Sequence, residues 1–248
     1  MTASPFSLQG RHILVTGASS GIGAAAARLC ARMGASVTVC GRDAVRLAQV
    51  LASLEGGGHA SVVGDLLDPA ARETLVAQAP LLDGCVFSAG IAALAPVRMV
   101  SQRHLDAMFA TNFDAPMLLT QLLLAKRKIA AGASLVYVTS AAQHWGFAGS
   151  AMYAGAKAAL TAAVRTLAAE QARQGIRANC VSPGYVETPM LAGLQAGVSM
   201  AAAQAPAALG AIEADDVAGP IVYLLAPASR WVSRASLVVD AGLSLHVR

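Results

Sequence analysis

Short apolar runs alternate with longer helical stretches along almost the whole of this chain. That alternation restricts its fold more than any other feature. Ile13-Leu14-Val15, Val37-Thr38-Val39-Cys40, Ser61-Val62-Val63 and Cys85-Val86-Phe87 read as buried strands. So do Leu135-Val136-Tyr137-Val138, Ala178-Asn179-Cys180-Val181 and Leu237-Val238-Val239. Helical patterns run over Gly23–Met33, Arg42–Leu54, Pro69–Gln78, Gln102–Asn112, Pro116–Ile129 and Ala151–Gln174. Strands joined through helices give a parallel sheet covered on both faces, that is, a doubly wound α/β fold of Rossmann type. A length of 248 residues admits one large domain or two small ones. No Pro/Gly/Ser-rich linker divides the chain, so residues 1–248 are expected to form one domain. Residues 189–212 carry no charge and are rich in Ala, Gly and Met, which fits either a buried helix pair or a mobile apolar substrate lid.

Hydrophobic residues make up 56% of the chain and charged residues 13%, a composition that excludes a disordered chain. Its most apolar stretches are broken by Asp114 and Gln121 and by Thr161 and Arg165, so no membrane span is expected. The net charge is +4, and the tightest basic cluster, Lys126-Arg127-Lys128, reads as a solvated helix end and not as a nucleic-acid patch. Four cysteines stand apart with no metal-ligand spacing, and no metal is expected. Sparse cysteines and an N-terminus without a signal pattern lead to a cytoplasmic expectation.

The first strand runs into Thr16-Gly17-Ala18-Ser19-Ser20-Gly21-Ile22-Gly23 and then a helix. Glycines at such a strand–turn–helix junction let the backbone approach a pyrophosphate, and the helix N-terminus meets its charge. No Gly-Lys-Ser/Thr follows, so this is not a P-loop. After the second strand come Gly41 and Arg42, where a carboxylate would select NAD. Arg42 offers a planar cation suited to a 2′-phosphate, so NADP(H) is the expected cofactor, although Asp43 follows directly. Further on, Tyr153 and Lys157 lie four apart on one helix face. An ammonium beside a phenol favours the phenolate, and lowering a tyrosine pKa by about three units takes roughly 4 kcal/mol.

Taken with these, further residues resemble the short-chain dehydrogenases/reductases over nearly the whole chain. Thr16–Gly23 is similar to the family's TGxxxGxG turn, and Tyr153-Ala154-Gly155-Ala156-Lys157 to its YxxxK motif. Asp65 matches the acidic residue at the adenine, Asn112 and Ser140 the active-site asparagine and serine, and Asn179–Gly184 the NxxxPG segment. Thr188 matches the threonine at the nicotinamide carboxamide, and Val239-Asp240-Ala241-Gly242 resembles the terminal VDGG segment. The resemblance implies an oxidoreductase that passes hydride between nicotinamide and a ketone or secondary alcohol. Tyr153 would move the proton, Lys157 would hold the ribose and acidify Tyr153, Ser140 would bond the substrate oxygen, and Asn112 would hold a relay water. Cofactor contacts would come from Gly17, Ser19, Ser20, Gly21, Ile22, Gly23, Arg42, Asp65, Ala89 and Gly90. Tyr153, Lys157, Pro183, Gly184, Val186 and Thr188 would complete them. Gln143, His144 and Tyr185 are candidate substrate contacts, with Trp145 and Phe147 in the same loop.

Three departures stand out. Phe87-Ser88-Ala89-Gly90 replaces the usual Asn-Asn-Ala-Gly, Ser233-Arg234 stands where Thr-Gly is common, and Ala241 where Gly is common. The expected substrate is a small, moderately hydrophobic carbonyl compound or alcohol, and the expected assembly a homotetramer or homodimer. A 3-oxoacyl-carrier-protein reductase is the runner-up; it would need a basic rim, for which Arg98, Arg103, Lys126, Arg127 and Lys128 are candidates. A non-catalytic NADP-binding sensor or scaffold is the rival from another class.

Overall fold

The computed structural model describes residues 4–192 and 208–246. A seven-stranded sheet forms from β1 (His12–Thr16), β2 (Ser36–Gly41), β3 (Ala60–Val63), β4 (Leu82–Phe87), β5 (Ile129–Val138), β6 (Arg177–Pro183) and β9 (Ser236–Val239). All neighbours in it are parallel, in the order β3-β2-β1-β4-β5-β6-β9. A separate parallel pair joins β7 (Val186–Glu187) to β8 (Ile212–Glu213). The helices between the strands are α1 (Gly21–Arg32), α2 (Ala44–Ala52), α3 (Pro69–Gln78), α4 (Gln102–Phe109), α5 (Ala115–Ala125), α6 (Ala142–Trp145), α7 (Ala151–Gln171) and α8 (Ala214–Leu225).

Alternate residues of each inner strand enter two separate cores. Val15, Val37, Val86 and Val136 pack with α1 and α8, while Leu14, Cys85, Leu135 and Tyr137 pack with α3, α5 and α7. Both faces are therefore buried, as a near-continuous apolar strand requires. Because β2 and β3 lie to one side of β1 and β4 and β5 to the other, the chain reverses its winding between β1 and β4. Ligands of such sheets bind at that crevice, beyond the carboxyl ends of the strands.

Two helix expectations need correction. The stretch read as one helix over Pro116–Ile129 ends at Ala125, and Ile129 already starts β5. The break lies in the basic triplet: Arg127 takes a left-handed φ of 54°, and Lys128 Nζ donates 2.6 Å to the Ala79 carbonyl that closes α3. The stretch read as Gln102–Asn112 changes at Ala110 into a π-helical turn, Ala110–Asp114, which carries Asn112. Of the 189–212 segment, residues 193–207 lie outside those described. Residues 189–192 form a helical turn, and the β7–β8 pair ties together the chain on either side of the segment.

Candidate active site

A cleft of about 330 Å³ opens at the carboxyl ends of the strands, lined from Gly17 and Arg42 at one end to Tyr153, Tyr185 and Leu191 at the other. Its floor begins at the turn after β1. Gly17 has φ +65°, and a Cβ there would stand 2.6 Å from the Ala89 amide nitrogen, so only glycine admits this crossing of the two loops. Ser19, Ser20, Gly21 and Ile22 line the cleft beside it. Gly23 does not; a Cβ there would strike the Gly17 carbonyl, so Gly23 serves the close packing of turn and helix. The Thr16 hydroxyl accepts the amides of Ser88 and Ala89 at 3.2 and 3.4 Å, which braces β1 against β4. Phe87 instead joins the core, stacked on Tyr137 at 4.3 Å between centroids.

At the ends of β2 and β3 the expected Arg42 and Asp65 both reach the cleft, with Arg42 Nη1 3.7 Å from Asp65 Oδ2. Asp43 is already committed. It caps α2 by accepting the Arg46 amide at 2.9 Å and the Arg46 Nε at 2.7 Å, and these bonds hold its carboxyl below the usual range. Arg46 also lines the cleft and was missed from the sequence; its place one helical turn after Arg42 was the available signal.

The chemical end is built by three elements. Asn112 is fully buried in the π turn: Oδ1 accepts the Ile91 amide at 3.2 Å, and Nδ2 donates at 3.0 Å to the carbonyls of Ile91 and Met108. It thus pins the loop after β4, where Ala89 and Gly90 line the cleft. Ser140 follows β5, and its Oγ accepts the Ala142 amide at 3.2 Å where α6 begins. Ser150 closes the 147–150 turn through bonds of 3.0 and 2.7 Å with Phe147, so that α7 starts with Tyr153 facing the cleft. Ser140 lies near enough to Tyr153 to stabilise its phenolate form, and both line the cleft. Lys157, one turn further along, is buried, donates 2.9 Å to the Val138 carbonyl and holds its Nζ 6.0 Å from the Tyr153 ring centre.

Burial governs the electrostatics of the pair in the protein alone. Burial pushes the Tyr153 phenol up, against the lowering effect of Ser140, and pushes Lys157 down to about 8. In the protein alone, desolvation therefore outweighs the attraction of ammonium for phenolate, and Tyr153 keeps its proton.

On the far side Pro183, Gly184, Tyr185, Val186 and Thr188 line the cleft. Thr188 leans on the phosphate turn: a Cβ on Gly21 would lie 3.1 Å from its methyl group. Of the pocket candidates, Tyr185, Trp145 and Phe147 line the cleft, with Tyr185 at centroid distances of 6.3 and 5.8 Å from Trp145 and Phe147. His144 is exposed and outside the lining. Gln143 turns inward. Its Nε2 donates to Ser182 Oγ at 3.0 Å and Thr139 Oγ1 at 3.3 Å, and its Oε1 accepts from Thr161 Oγ1 at 2.6 Å. The basic rim required by a carrier-protein substrate does not assemble. Lys126, Arg127 and Lys128 precede β5 and sit at the opposite end of the sheet from the cleft, apart from Arg98 and Arg103.

A family model described as Enoyl-(Acyl carrier protein) reductase matches residues 17–244. The cis-4-hydroxycyclohexanecarboxylate dehydrogenase of Sinomonas cyclohexanicum is 36% identical over 241 residues, spanning 94% of this chain and 96% of its own. The L-rhamnose 1-dehydrogenase (NAD(P)(+)) of Azotobacter vinelandii is 34% identical over 255 residues, spanning 96% and 98%. A solved short chain dehydrogenase from Burkholderia cenocepacia J2315, in complex with NADP, superposes with a TM-score of 0.87 at 32% identity and covers 96% of this chain and 99% of its own. Relatedness of this extent, running through the phosphate turn, the serine and the tyrosine–lysine helix alike, places the chain in the short-chain dehydrogenase/reductase family of oxidoreductases.

Proposed function

We propose that the protein is an NADP(H)-dependent ketone reductase, or secondary-alcohol dehydrogenase in reverse. The observation that carries this reading is the placement of the Tyr153 and Ser140 hydroxyls together on the cleft wall, with the buried Lys157 one turn from Tyr153 and its Nζ 6.0 Å from the Tyr153 ring centre. Two hydroxyls at one place suit a carbonyl oxygen, which accepts both bonds and gathers charge as it is reduced.

The residues fit a dinucleotide phosphate. The Gly17 crossing leaves backbone where a pyrophosphate needs it, and Arg42 and Arg46 flank the end where a 2′-phosphate would lie. Ser19–Ile22, Asp65, Ala89, Gly90, Pro183, Gly184, Val186 and Thr188 would hold the rest. A bound nicotinamide supplies or accepts the hydride. Tyr153, half-buried and neutral at physiological pH as a phenol is, hands its phenolic proton to the substrate oxygen, while Ser140 Oγ steadies that oxygen. Lys157 offsets the negative charge left on Tyr153, anchored for this by Val138. Asn112 shapes the wall through Ile91; a relay water would use the lone pair its Oδ1 retains.

The test is cofactor choice with turnover. Wild-type protein should oxidise NADPH in the presence of a simple ketone. Arg42→Ala should weaken NADPH binding by about tenfold or more, the loss of one charged hydrogen-bonding partner, and leave NADH binding unchanged. A wild-type preference for NADH would remove the NADP assignment.

A further inference from the structure

We propose that the substrate end of this cleft is built for an uncharged, ring-bearing ketone or alcohol, aryl or cyclic, and discriminates against carbonyl compounds that carry a carboxylate or phosphate. This rests on the hydride-transfer reading above and adds the substrate class.

Charge is segregated along the cleft. Arg42, Asp43, Arg46 and Asp65 all stand at the ends of β2 and β3, where the dinucleotide phosphate belongs. Around the two hydroxyls the described lining is Ile91, Leu94, Trp145, Phe147, Tyr185 and Met190, with small residues between them. Beyond Tyr153 itself the ionisable groups on that side, among the described residues, are Lys157 and Tyr185. Lys157 is held on the Val138 carbonyl, and burial keeps the Tyr185 phenol protonated at neutral pH. Pro189, Met190 and Leu191, which complete the described lining on this side, add no charge. An anionic substituent entering here would lose its hydration and, apart from the Lys157 ammonium held on Val138, meet no cation in the described lining, which is costly.

The apolar wall is also aromatic in a particular way. Trp145 and Phe147 come from the segment after β5 and Tyr185 from the one after β6, and the three meet as a corner. Trp145 and Phe147 are 5.4 Å apart at 37°, Phe147 and Tyr185 5.8 Å at 59°, and Trp145 and Tyr185 6.3 Å at 72°. These are separations at which rings attract through offset and edge-to-face contacts. A fourth ring laid into the corner gains the same contacts; a flexible aliphatic chain does not, and loses rotamer freedom as well.

The experiment pairs neutral ring ketones with their carboxylates: acetophenone against 4-acetylbenzoate, and cyclohexanone against 4-oxocyclohexanecarboxylate, with NADPH. The neutral member should have the higher kcat/KM, by about 100-fold, from the uncompensated burial of charge. Phe147→Ala should raise KM for acetophenone about tenfold with NADPH affinity unchanged. Tyr185→Arg should bring the 4-acetylbenzoate rate up towards that of acetophenone. Equal rates within each pair would overturn the proposal. Binding is read separately, in a Trp231→Phe background that leaves Trp145 the only tryptophan, with NADP⁺ present. Quenching by acetophenone but not by 4-acetylbenzoate, without turnover of either, would uphold the substrate class and sink the catalytic reading. Turnover of both ketones at equal rates would do the reverse, and no quenching with no turnover would sink both.

Discussion

Arg234 and Ala241 hold left-handed backbone, with φ of 65° and 50°, at two of the positions where relatives commonly carry glycine. Both turns are fixed by their bonds. The Arg234 amide donates 2.8 Å to the Ala178 carbonyl, and Asp240 accepts the amides of Gly242 and Ser244 at 3.0 and 2.9 Å. A side chain in this region costs about 1–2 kcal/mol, and glycine gives back about half of the relief through its freer unfolded state. Ala241→Gly should therefore stabilise the protein by about 0.5–1 kcal/mol, measured as a higher urea midpoint with unchanged slope. A lower midpoint would show that these turns are not strained. Residue identities of this kind were legible in the sequence, as were Gly17, Ser140, Tyr153 and Lys157, because each does one job that few side chains can do. The direction of a side chain was not. Gln143, in the loop after Ser140, and Tyr185, just after Pro183-Gly184, both read as candidate substrate contacts, and only the fold reveals that one bonds inward and the other lines the cleft. Asp43 likewise looked like a rival to Arg42 until its two bonds to Arg46 accounted for it.

Between elements, a chain of uncharged hydrogen bonds sets the geometry of the site from behind. Thr161 on α7 donates to Gln143 on α6, Gln143 donates to Thr139 and Ser182 at the ends of β5 and β6, and Ser182 pairs with Ser236 on β9 at 2.8 Å. Ser140 follows Thr139 directly, and Lys157 lies one turn before Thr161, so the chain fixes serine and lysine relative to each other. Gln143→Leu removes one partner from each of three hydroxyls, which keep their bonds to Val181, Ser236 and Lys157, and so cuts the link between α7 and the strand ends and loosens that register. It should lower kcat about tenfold or more with little change in the Kd for NADPH, whereas Gln143→Glu, isosteric and able to bond when protonated, should recover part of the loss at low pH. Rates and pH profiles of both variants check this; a Gln143→Leu enzyme with wild-type kcat would contradict it. The strands and most helices were readable from apolar runs and caps, down to the Pro69 start of α3. Helix α8 was not among the helices read, because Gly219-Pro220 within it has the look of a turn, yet burial of Val217, Ile221, Leu224 and Leu225 against the sheet holds the helix through the proline. The two-residue strands β7 and β8 carry too little pattern to be seen at all.

For the whole molecule, among the described residues the sheet ends at β9 with β6 as its one neighbour, so that edge is open. Leu237 and Val238 on that strand are partly exposed, and Trp231 just before it is 87% exposed. Open edges and exposed apolar side chains of this kind favour association. Light scattering at working concentration should give a homotetramer, or a dimer, and a monomer would contradict this. The central claim, though, is that the phenol of residue 153 is the proton donor to a carbonyl in a nicotinamide-binding cleft. Tyr153→Phe keeps the ring and removes only the hydroxyl. Measured side by side with wild type, it should bind NADPH with unchanged Kd and reduce a ketone at least about 100-fold more slowly, the contribution of a positioned general acid. Full activity in the phenylalanine variant would contradict the account.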